Sequence, residues 1–459
     1  MSRLFAIHRL DSAAGERQLV RLAGRRAQVL DARTERAARR LVEQVRRRGD
    51  AGLLAAVAEL DGVQADAVAE LRLAPSAADR AGSGLPPGFA AALEQAITAV
   101  TEYHRAQAVP GFRQERDGVE LVERREPLTR VAVYIPGGRA CYPSTAVMTV
   151  VPAQVAGVAE IVAVTPPRAW AAHATLRYTL ARLGVAEIWG CGGAHAVAAL
   201  AFGTESVRRV DKIVGPGNAW VTAAKRQVAG EVAIDGLAGP SEVVIVAGET
   251  ASPELVAADL LAQAEHDPKA AAILLTDSRA LARAVGAELE RQLPRLATAE
   301  TARASLASLG GALLVSGLAE ALTAVARIAP EHLQLVGEPF ESAADAFRNA
   351  GAVFVGAATP EVFGDYVAGP SHVLPTCGTA RFASALGVED FVRRSHLIRV
   401  APAAAPRLAA AARTLAEAEG LPAHARSAAL RLVSEETASL RLAGPDVAAR
   451  GATAKGERR

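Results

Sequence analysis

Short apolar runs alternate with amphipathic segments through the middle of the chain. The runs predict strands at residues 131–135, 161–165, 187–190, 212–214, 243–247, 271–276, 312–315, 332–336 and 352–355. The amphipathic segments predict helices, among them 144–158, 171–183, 194–201 and 219–228. Strands separated by helices of this length are typical of parallel sheets built from strand–helix units. The pattern therefore predicts the α/β fold class, with two incomplete Rossmann-like parallel-sheet domains.

Both ends of the chain depart from this rhythm and predict helical N-terminal and C-terminal extensions. Within 34–48 the apolar residues share one helical face, and Arg and Glu lie opposite. After Arg394 no strand is predicted, and two helices are expected at 406–419 and 423–432. The predicted divisions are an N-terminal extension (1–30), the helical part of the first α/β domain (31–130), the first α/β domain itself (131–236), the second α/β domain (237–377), a C-terminal helical segment (378–435) and a tail (436–459).

The composition is that of a globular protein and excludes several classes of function. Of 459 residues, 51% are apolar and 22% are charged, which suffices for sizeable cores and excludes disorder. The formal net charge of +2 argues against a nucleic-acid binder. The three cysteines are far apart and form neither a disulfide framework nor a metal-binding pair. With no apolar segment long enough for a bilayer and no secretion signal, a cytoplasmic protein is expected.

Three glycine-rich turns each follow a predicted strand and open a predicted helix. They lie at 134–138, 190–193 and 215–218. Exposed N–H groups at a helix N-terminus suit phosphate, and glycine leaves room for it. Any one of these turns is better explained as a tight connection that needs glycine for its geometry. Three of them at the carboxyl ends of neighbouring strands favour a nucleotide-binding crevice.

Histidines and carboxylates at the ends of predicted segments form a second candidate site. They are His266, Glu331, His332, Asp365, His372 and His424. Imidazole and carboxylate groups brought together from loops are the donor types of a mixed N/O zinc site. Helix capping is the ordinary alternative for Asp365 and His266. Because the usual catalytic motifs are absent, the residue types by themselves predict only an α/β enzyme with a divalent metal and a nucleotide.

Eight segments that follow one another along the chain carry a more specific signal. They are 134–138, 210–218, 238–244, 263–268, 329–333, 364–366, 372–376 and 419–424. In these segments and in their order, the chain resembles the histidinol dehydrogenase family. The resemblance extends over residues 30–435.

The resemblance implies a role for particular residues. It implies one zinc per subunit, held by Gln263, His266, Asp365 and His424. It implies contacts with the substrate from Ser241, Gln263, His266, His332, Asp365, Glu419 and His424. It implies NAD+ contacts from Tyr134, His195 and Asn218, and a catalytic pair formed by Glu331 and His332. At the position of His195 the family usually has Gln.

The reaction that the resemblance implies is a four-electron oxidation of L-histidinol to L-histidine through L-histidinaldehyde, the last steps of histidine biosynthesis. Because an alcohol loses four electrons on its way to an acid, NAD+ is used twice on one bound substrate. The family is a homodimer whose C-terminal segment reaches into the partner's active site. Glu419 and His424 are therefore expected to act in the partner subunit, and no nucleic acid or membrane is expected as a partner.

Three other functions stay open at this point. One is a paralogous zinc- and NAD-dependent dehydrogenase for another amino alcohol or diol, which Glu419 and His424 disfavour. Another is a zinc hydrolase, which the glycine-rich turns disfavour. The third is a metabolite-binding scaffold without activity, which the pair Glu331 and His332 disfavours. Formation of NADH from histidinol discriminates among all of them.

Overall fold

A computed structural model of the chain describes residues 4–137 and 142–432. The chain divides into two compact units, the first made of Met1–Ala108 and Pro127–Val392, the second of Val109–Glu126 and Arg393–Arg459. The predicted tail at 436–459 lies outside the described residues, as do the last residues of the predicted C-terminal segment, from 433 onward.

The strands are short, and most of those in the first unit are buried. Their bounds are β1 Ile7–Arg9, β2 Arg72–Leu73, β3 Arg113–Arg116, β4 Val119–Pro127, β5 Arg130–Tyr134, β6 Glu160–Thr165, β7 Glu187–Gly190, β8 Lys212–Val214, β9 Ala233–Ile234, β10 Glu242–Ala247, β11 Ala271–Thr276, β12 Gly311–Leu314, β13 His332–Val336, β14 Ala352–Val355 and β15 Val392–Val400.

Helices connect most of these strands. Their bounds are α1 Ala13–Ala23, α2 Ala32–Ala56, α3 Ala77–Arg80, α4 Phe89–Gln107, α5 Pro143–Ala156, α6 Pro167–Ala172, α7 Ala174–Arg182, α8 Gly193–Phe202, α9 Ala219–Val228, α10 Pro253–Ala264, α11 Arg279–Gln292, α12 Ala299–Leu309, α13 Leu318–Ile328, α14 Glu361–Tyr366, α15 Ala405–Ala418 and α16 Pro422–Ala429. Among the described residues, none of these helices combines the length and apolar character needed to cross a membrane.

The first sheet has the strand order β2-β7-β6-β5-β8-β9, and its neighbours are parallel except β2 and β7. Successive residues of β5 enter two different cores, one on each face of the sheet. Ala132 and Tyr134 pack with α2, α8 and α9, whereas Val131 and Val133 pack with α4, α5 and α7. The chain moves from β5 to β6 and β7 and then returns to β8 on the other side of β5. In open α/β sheets ligands bind where the strand order reverses in this way, which predicts a ligand-binding crevice at the carboxyl ends of β5 and β8.

The second sheet has the order β1-β12-β11-β10-β13-β14 and is parallel throughout. Its central strand β10 is buried on both faces, because Val243 and Ile245 pack with α10 and α11 while Val244 and Val246 pack with α13. The predicted N-terminal extension supplies β1, which pairs with β12 at the edge of this sheet. Two parallel sheets with helices on both faces confirm the predicted α/β fold class.

The second unit contains a three-stranded sheet in the order β15-β4-β3, followed by α15 and α16. The prediction that strands stop after Arg394 is therefore wrong. Strand β15 is rich in arginine and mostly exposed, so it lacks the apolar run that marks a buried strand. Backbone hydrogen bonds to β4 hold it in the sheet, and ion pairs accompany them, with Arg393 Nη2 2.8 Å from Glu126 Oε2 and Arg399 Nη1 2.7 Å from Glu120 Oε2.

The single helix predicted at 171–183 is also wrong. His173 separates α6 from α7 and has an extended backbone, with φ −121° and ψ 99°. A β-region residue breaks the ladder of backbone hydrogen bonds, so the helix restarts at Ala174. The predicted helices at 144–158, 194–201 and 219–228 agree with α5, α8 and α9 within two residues.

Candidate active site

The predicted catalytic pair lies at the amino-terminal edge of the second sheet. His332 is the first residue of β13, Glu331 precedes it, and both are buried. Strand β10 pairs Val243 with His332, which places the start of β10 beside the pair. Glu331 Oε2 accepts the backbone N–H of Glu242 at 3.0 Å, and the side chain of Ser241 also hydrogen-bonds to Glu331. Ser241, implied as a substrate contact, therefore adjoins the predicted base.

Helix α10 lies across the start of β13. Gln263 Oε1 is 3.2 Å from His332 Nδ1, and Gln334 Nε2 donates to Asp259 Oδ2 at 2.9 Å. His332 and Gln334 are two residues apart and share a face of β13, and Asp259 and Gln263 are four residues apart and share a face of α10. The two hydrogen bonds therefore join the same faces of the strand and the helix. His266 follows the end of α10, close enough for its charge to act on His332.

The short helix α14 presents two carboxylates to the same imidazole. Glu361 and Asp365 are four residues apart and therefore share a helical face. Glu361 Oε2 lies 3.7 Å from His332 Nδ1, and Asp365 Oδ1 lies 3.7 Å from His332 Nε2. Both Glu361 Oε2 and His332 Nε2 are buried without a hydrogen-bond partner among the described residues. His332 Nε2 is thus a free polar atom within the site.

Burial shifts the pKa values of these groups toward their neutral forms. It lowers the pKa of His332 to about 4, against the opposing charge of Asp365. Burial, with the charges of Glu242 and Asp365, raises the pKa of Glu331 well above its usual range. Burial, with the charges of Asp365 and Glu331, does the same to the pKa of Glu361. The carboxylates repel one another, so the site is short of positive charge.

Arg25 supplies a positive charge behind this cluster. Its guanidinium pairs with the carboxylate of Glu242 and donates to the backbone oxygens of Pro240 and Lys269 at 3.1 and 3.0 Å. The other oxygen of Glu242 accepts the backbone N–H of Cys377 at 2.8 Å. These bonds hold the start of β10, whose backbone N–H bonds to the predicted base.

Three of the four implied zinc ligands, Gln263, His266 and Asp365, lie in the first unit. Among the described residues, no three His, Cys, Asp or Glu side chains converge as metal ligands do. The implied set has only one imidazole and one carboxylate in this unit, and an amide beside them. Such donors suit zinc, and a divalent cation would compensate the mutual repulsion of the carboxylates. The residues therefore fit a zinc ion in donor chemistry and in charge.

The remaining implied residues, Glu419 and His424, belong to the second unit. Helix α15 ends at Ala418, and Glu419 and Gly420 form the turn before α16. Gly420 has φ +69°, a conformation that glycine adopts without strain. Glu419 and His424 are both exposed, so neither side chain is used in a core of its own subunit.

The three residues implied in NAD+ binding lie at the carboxyl-terminal edge of the first sheet. Tyr134 ends β5, and its hydroxyl oxygen accepts the backbone N–H of Gly193 at 3.0 Å. Asn218 caps α9, because its side-chain oxygen accepts the N–H groups two and three residues further on. His195 lies in the first turn of α8 and is buried. They lie at the end of β5 and at the starts of α8 and α9, near the point where the strand order reverses.

The partner of His195 is Asp61, which the sequence analysis did not select. His195 Nε2 lies 2.9 Å from Asp61 Oδ2, and the same oxygen accepts the N–H of Gly192 at 3.1 Å. Side chains of the protein thus occupy the N–H groups of Gly192 and Gly193. The expectation that this turn presents exposed N–H groups is wrong for these two residues.

His372 joins the edges of the two sheets. Its Nδ1 lies 3.0 Å from the backbone oxygen of Asp365, and its Nε2 lies 3.4 Å from Thr145 Oγ1 in the first turn of α5. The neighbouring Ser371 donates to the backbone oxygen of Met148 at 3.1 Å. The loop that follows Asp365 is therefore anchored on α5, the helix that follows β5.

Several charged residues of these sites were missed in the sequence analysis: Arg25, Asp61, Glu242 and Glu361. Glu361 lies four residues before Asp365, so helical spacing could have selected it. Arg25 and Asp61 offer no such signal, because their partners are more than a hundred residues away along the chain.

Fold and site together define a doubly wound α/β enzyme, with an imidazole–carboxylate pair at one sheet edge and glycine-rich turns at another. The family model for histidinol dehydrogenase matches residues 24–432. The chain belongs to the histidinol dehydrogenase family and is an oxidoreductase.

Individual relatives agree with the family model. The chain is 48% identical over 398 residues to a histidinol dehydrogenase of Agrobacterium fabrum, covering 86% of this chain and 92% of the relative. It is 45% identical over 424 residues to one of Synechococcus, covering 91% and 97%. A crystal structure of histidinol dehydrogenase from Elizabethkingia anophelis matches with a TM-score of 0.86 at 30% identity, covering 96% of this chain and 100% of that one.

Proposed function

We propose that the chain catalyses the zinc- and NAD-dependent oxidation of L-histidinol to L-histidine through L-histidinaldehyde, in histidine biosynthesis in the cytoplasm. The observation that carries the proposal is the surrounding of His332. Its ring is buried between Gln263 and Asp365, two implied zinc ligands, and adjoins Glu331. One imidazole thus adjoins two residues that would hold zinc and the carboxylate that would activate water, and this arrangement supports the proposal.

The contacts of His332 support Nε2 as the nitrogen that acts as the base. Gln263 Oε1 can only accept, so His332 Nδ1 donates its proton to it at 3.2 Å. In the neutral ring Nε2 then carries the lone pair. Nε2 has no other partner among the described residues and takes the hydroxyl proton as hydride leaves the neighbouring carbon. The same nitrogen accepts a proton in the second oxidation.

Glu331 serves the step between the two oxidations. The aldehyde must gain a water molecule before it can lose a second hydride. One carboxylate oxygen of Glu331 is held by the N–H of Glu242, which fixes its direction. Glu331 in its ionised form then removes a proton from the attacking water.

When bound, the cofactors would supply the remaining chemistry, since zinc would orient the substrate and NAD+ would accept two hydrides in turn. One zinc per subunit would be held by Gln263, His266, Asp365 and His424. The substrate would contact Ser241, Gln263, His266, His332, Asp365, Glu419 and His424. NAD+ would lie against Tyr134, His195 and Asn218.

We further propose a homodimer in which Glu419 and His424 complete the partner's site. Both are exposed, and the second unit carries many exposed apolar side chains, namely Val109, Phe112, Leu121, Ile398, Val400, Leu408, Leu415, Leu421 and Leu430. Apolar side chains exposed in this number on one unit support an interaction surface there. A two-fold dimer would cover it and bring the second unit of one subunit to the other.

The proposal is tested by incubating the purified protein with L-histidinol and NAD+ and following absorbance at 340 nm. Two NADH should form for each L-histidine, since both oxidations occur on one substrate. A single NADH per substrate would mean that the protein is an alcohol dehydrogenase that carries out the first oxidation only. No NADH, with hydrolysis of an amide substrate instead, would replace the proposal by the hydrolase alternative.

A further inference from the structure

A buried carboxylate–imidazole pair, Asp61 and His195, lies at the N-terminal end of α8. His195 is 1% exposed, and its Nε2 lies 2.9 Å from Asp61 Oδ2. That oxygen also accepts the N–H of Gly192 at 3.1 Å. Asp61 thus occupies the position that an anionic ligand takes at a helix N-terminus. A phosphate group at this turn would meet both an occupied N–H and a negative charge.

Asp61 also decides which ring nitrogen of His195 carries the proton. A carboxylate oxygen accepts, so Nε2 donates to it. In the neutral ring Nδ1 is then an acceptor. Nδ1 is buried and has no hydrogen-bond partner among the described residues. The hydrogen bond between Asp61 and His195 therefore holds Nδ1 in a fixed direction as an acceptor. No group in the described part of the chain donates to it.

Gly193 leaves space beside this acceptor. A Cβ built on Gly193 would lie 3.6 Å from Nδ1 and Cε1 of His195, and apart from its adjoining residues and the backbone of α8 it would approach no other atom within 4 Å. Gly193 also has φ +61°, so a side chain is disfavoured at this position. A small polar group of a ligand can occupy the space that the missing side chain leaves.

Tyr134 provides a donor at the same turn. Its hydroxyl oxygen accepts the N–H of Gly193 at 3.0 Å, which leaves its own proton to donate. The turn thus offers one hydroxyl donor and one imidazole acceptor. Hydroxyl groups match this pair because each of them both donates and accepts. Phosphate oxygens only accept, so they leave His195 Nδ1 unpaired.

We propose that Asp61 is a positioning residue that holds His195 Nδ1 as the acceptor for a ribose hydroxyl of the dinucleotide. The turn between β7 and α8 would then bind a ribose, while the diphosphate lies elsewhere in the crevice. The proposal rests on the proposed function, which supplies NAD+ as the ligand. Both halves of NAD+ carry a ribose, so the experiment must distinguish the adenosine half from the nicotinamide half.

The test measures dissociation constants by isothermal titration calorimetry on the full-length protein. Asp61→Asn should weaken NAD+ binding about tenfold, because the amide no longer fixes the donor on Nε2. Asp66→Asn is the matched control, since Asp66 is an exposed aspartate five residues further on. That control should bind NAD+ within twofold of the unmodified protein.

Two further variants separate positioning from folding. His195→Phe removes the acceptor and should weaken binding at least as much as Asp61→Asn. His195→Gln offers an amide oxygen in its place and should recover part of the affinity. Separate titrations with AMP and with nicotinamide mononucleotide locate the ribose, because only the half that contacts Nδ1 should lose affinity in these variants.

A readout in the unliganded protein is the protonation of the ring. Long-range ¹H–¹⁵N correlation spectra of protein labelled in its histidines should show His195 with a proton on Nε2 and none on Nδ1. Asp61→Asn should change this state, whereas Asp66→Asn should leave it unchanged. The signal of His195 is assigned by its loss in His195→Gln.

The proposal is overturned if Asp61→Asn and His195→Phe both bind NAD+ within twofold of the unmodified protein. It is equally overturned if His195 of the unmodified protein carries its proton on Nδ1. That result concerns the unmodified protein, so it holds even where a variant does not fold. Failure of the proposed function is a different result, because the unmodified protein itself would then neither bind NAD+ nor form NADH from histidinol.

Discussion

At the scale of single residues, His332 is where the contacts of three elements meet. Gln263 comes from α10, Asp365 from α14 and Glu331 from the segment just before β13. None of these elements holds the imidazole alone. Because the amide oxygen of Gln263 accepts the proton on His332 Nδ1, Nε2 is left as the acceptor. A substitution of Gln263 therefore changes which nitrogen of His332 carries the proton.

Glu331→Gln is expected to separate the two oxidations. Glutamine cannot remove a proton from water, so the aldehyde-to-acid step should slow by about 10²–10⁴-fold, far more than the alcohol-to-aldehyde step. Single-turnover measurements that start from histidinol or from histidinaldehyde provide the two rates. Equal slowing of both steps would contradict the role assigned to Glu331.

His332→Asn should slow both oxidations, because each hydride transfer needs the same base. The expected loss is again about 10²–10⁴-fold in each step. Glu300→Gln, an exposed glutamate on α12, is a control for both variants and should keep full activity. If His332→Asn leaves the second oxidation intact, another group must accept the proton there.

At the scale of elements, the turn after β8 depends on a buried ion pair. Lys225 Nζ lies 2.6 Å from Asp235 Oδ1 and donates to the backbone oxygen of Gly215 at 2.6 Å. Asp235 Oδ2 accepts the N–H of Gly215 at 2.7 Å. Gly215 has φ +105°, and a Cβ there would lie 2.3 Å from the backbone oxygen of Tyr134. The pair therefore fixes the backbone at the predicted NAD+ crevice.

Lys225→Met should destabilise the protein, because it removes one partner of a buried ion pair and leaves Asp235 without its counter-ion. The expected loss is about 3 kcal/mol, measured as a lower urea midpoint by circular dichroism. Lys269→Met, at an exposed lysine, should leave the midpoint nearly unchanged. A midpoint equal to that of the control would mean that the turn is held by its backbone bonds alone.

At the scale of the whole molecule, the proposed zinc ligands are not members of the apolar cores. The apolar residues form large buried clusters on both faces of each parallel sheet. Chelation of the proposed zinc should therefore abolish turnover while the circular dichroism spectrum stays nearly unchanged. Full activity of protein shown to be free of metal would contradict a role for zinc. A collapse of the spectrum would instead make the metal structural.

The proposed dimer predicts that two inactive variants restore each other. His424→Ala and His332→Ala should each be inactive alone. In a mixed dimer with sites shared between subunits, one site draws His332 from one chain and His424 from the other and is intact. Half of the sites in each mixed dimer recover, or roughly a quarter overall if chains pair at random.

Subunit exchange must be shown in that mixture by mass or by fluorescence. If exchange occurs and no activity returns, the second unit serves the site of its own chain. Every site in the mixture then keeps one of the two lesions. The same treatment of the unmodified protein provides the full activity for comparison.

The amino-acid sequence by itself determined the α/β class and most strand positions. Strands β7, β8, β11, β13 and β14 have the predicted bounds, because a short apolar run followed by an amphipathic segment is a local property of the chain. The order of the motifs likewise indicated the family, which the comparisons confirmed. Helix caps are local in the same sense, because the side chain of Asn218 bonds to N–H groups only two and three residues further on.

Only the tertiary structure decided which charged groups meet. Asp61 and His195 are 134 residues apart, and Gln263 and His332 are 69 apart, so no sequence period links them. Strand β15 escaped prediction because its stability comes from partners on another strand and not from its own apolar residues. Burial and charge depend on neighbours that folding brings together, and for that reason the sequence predicted the elements but not the electrostatics of the site.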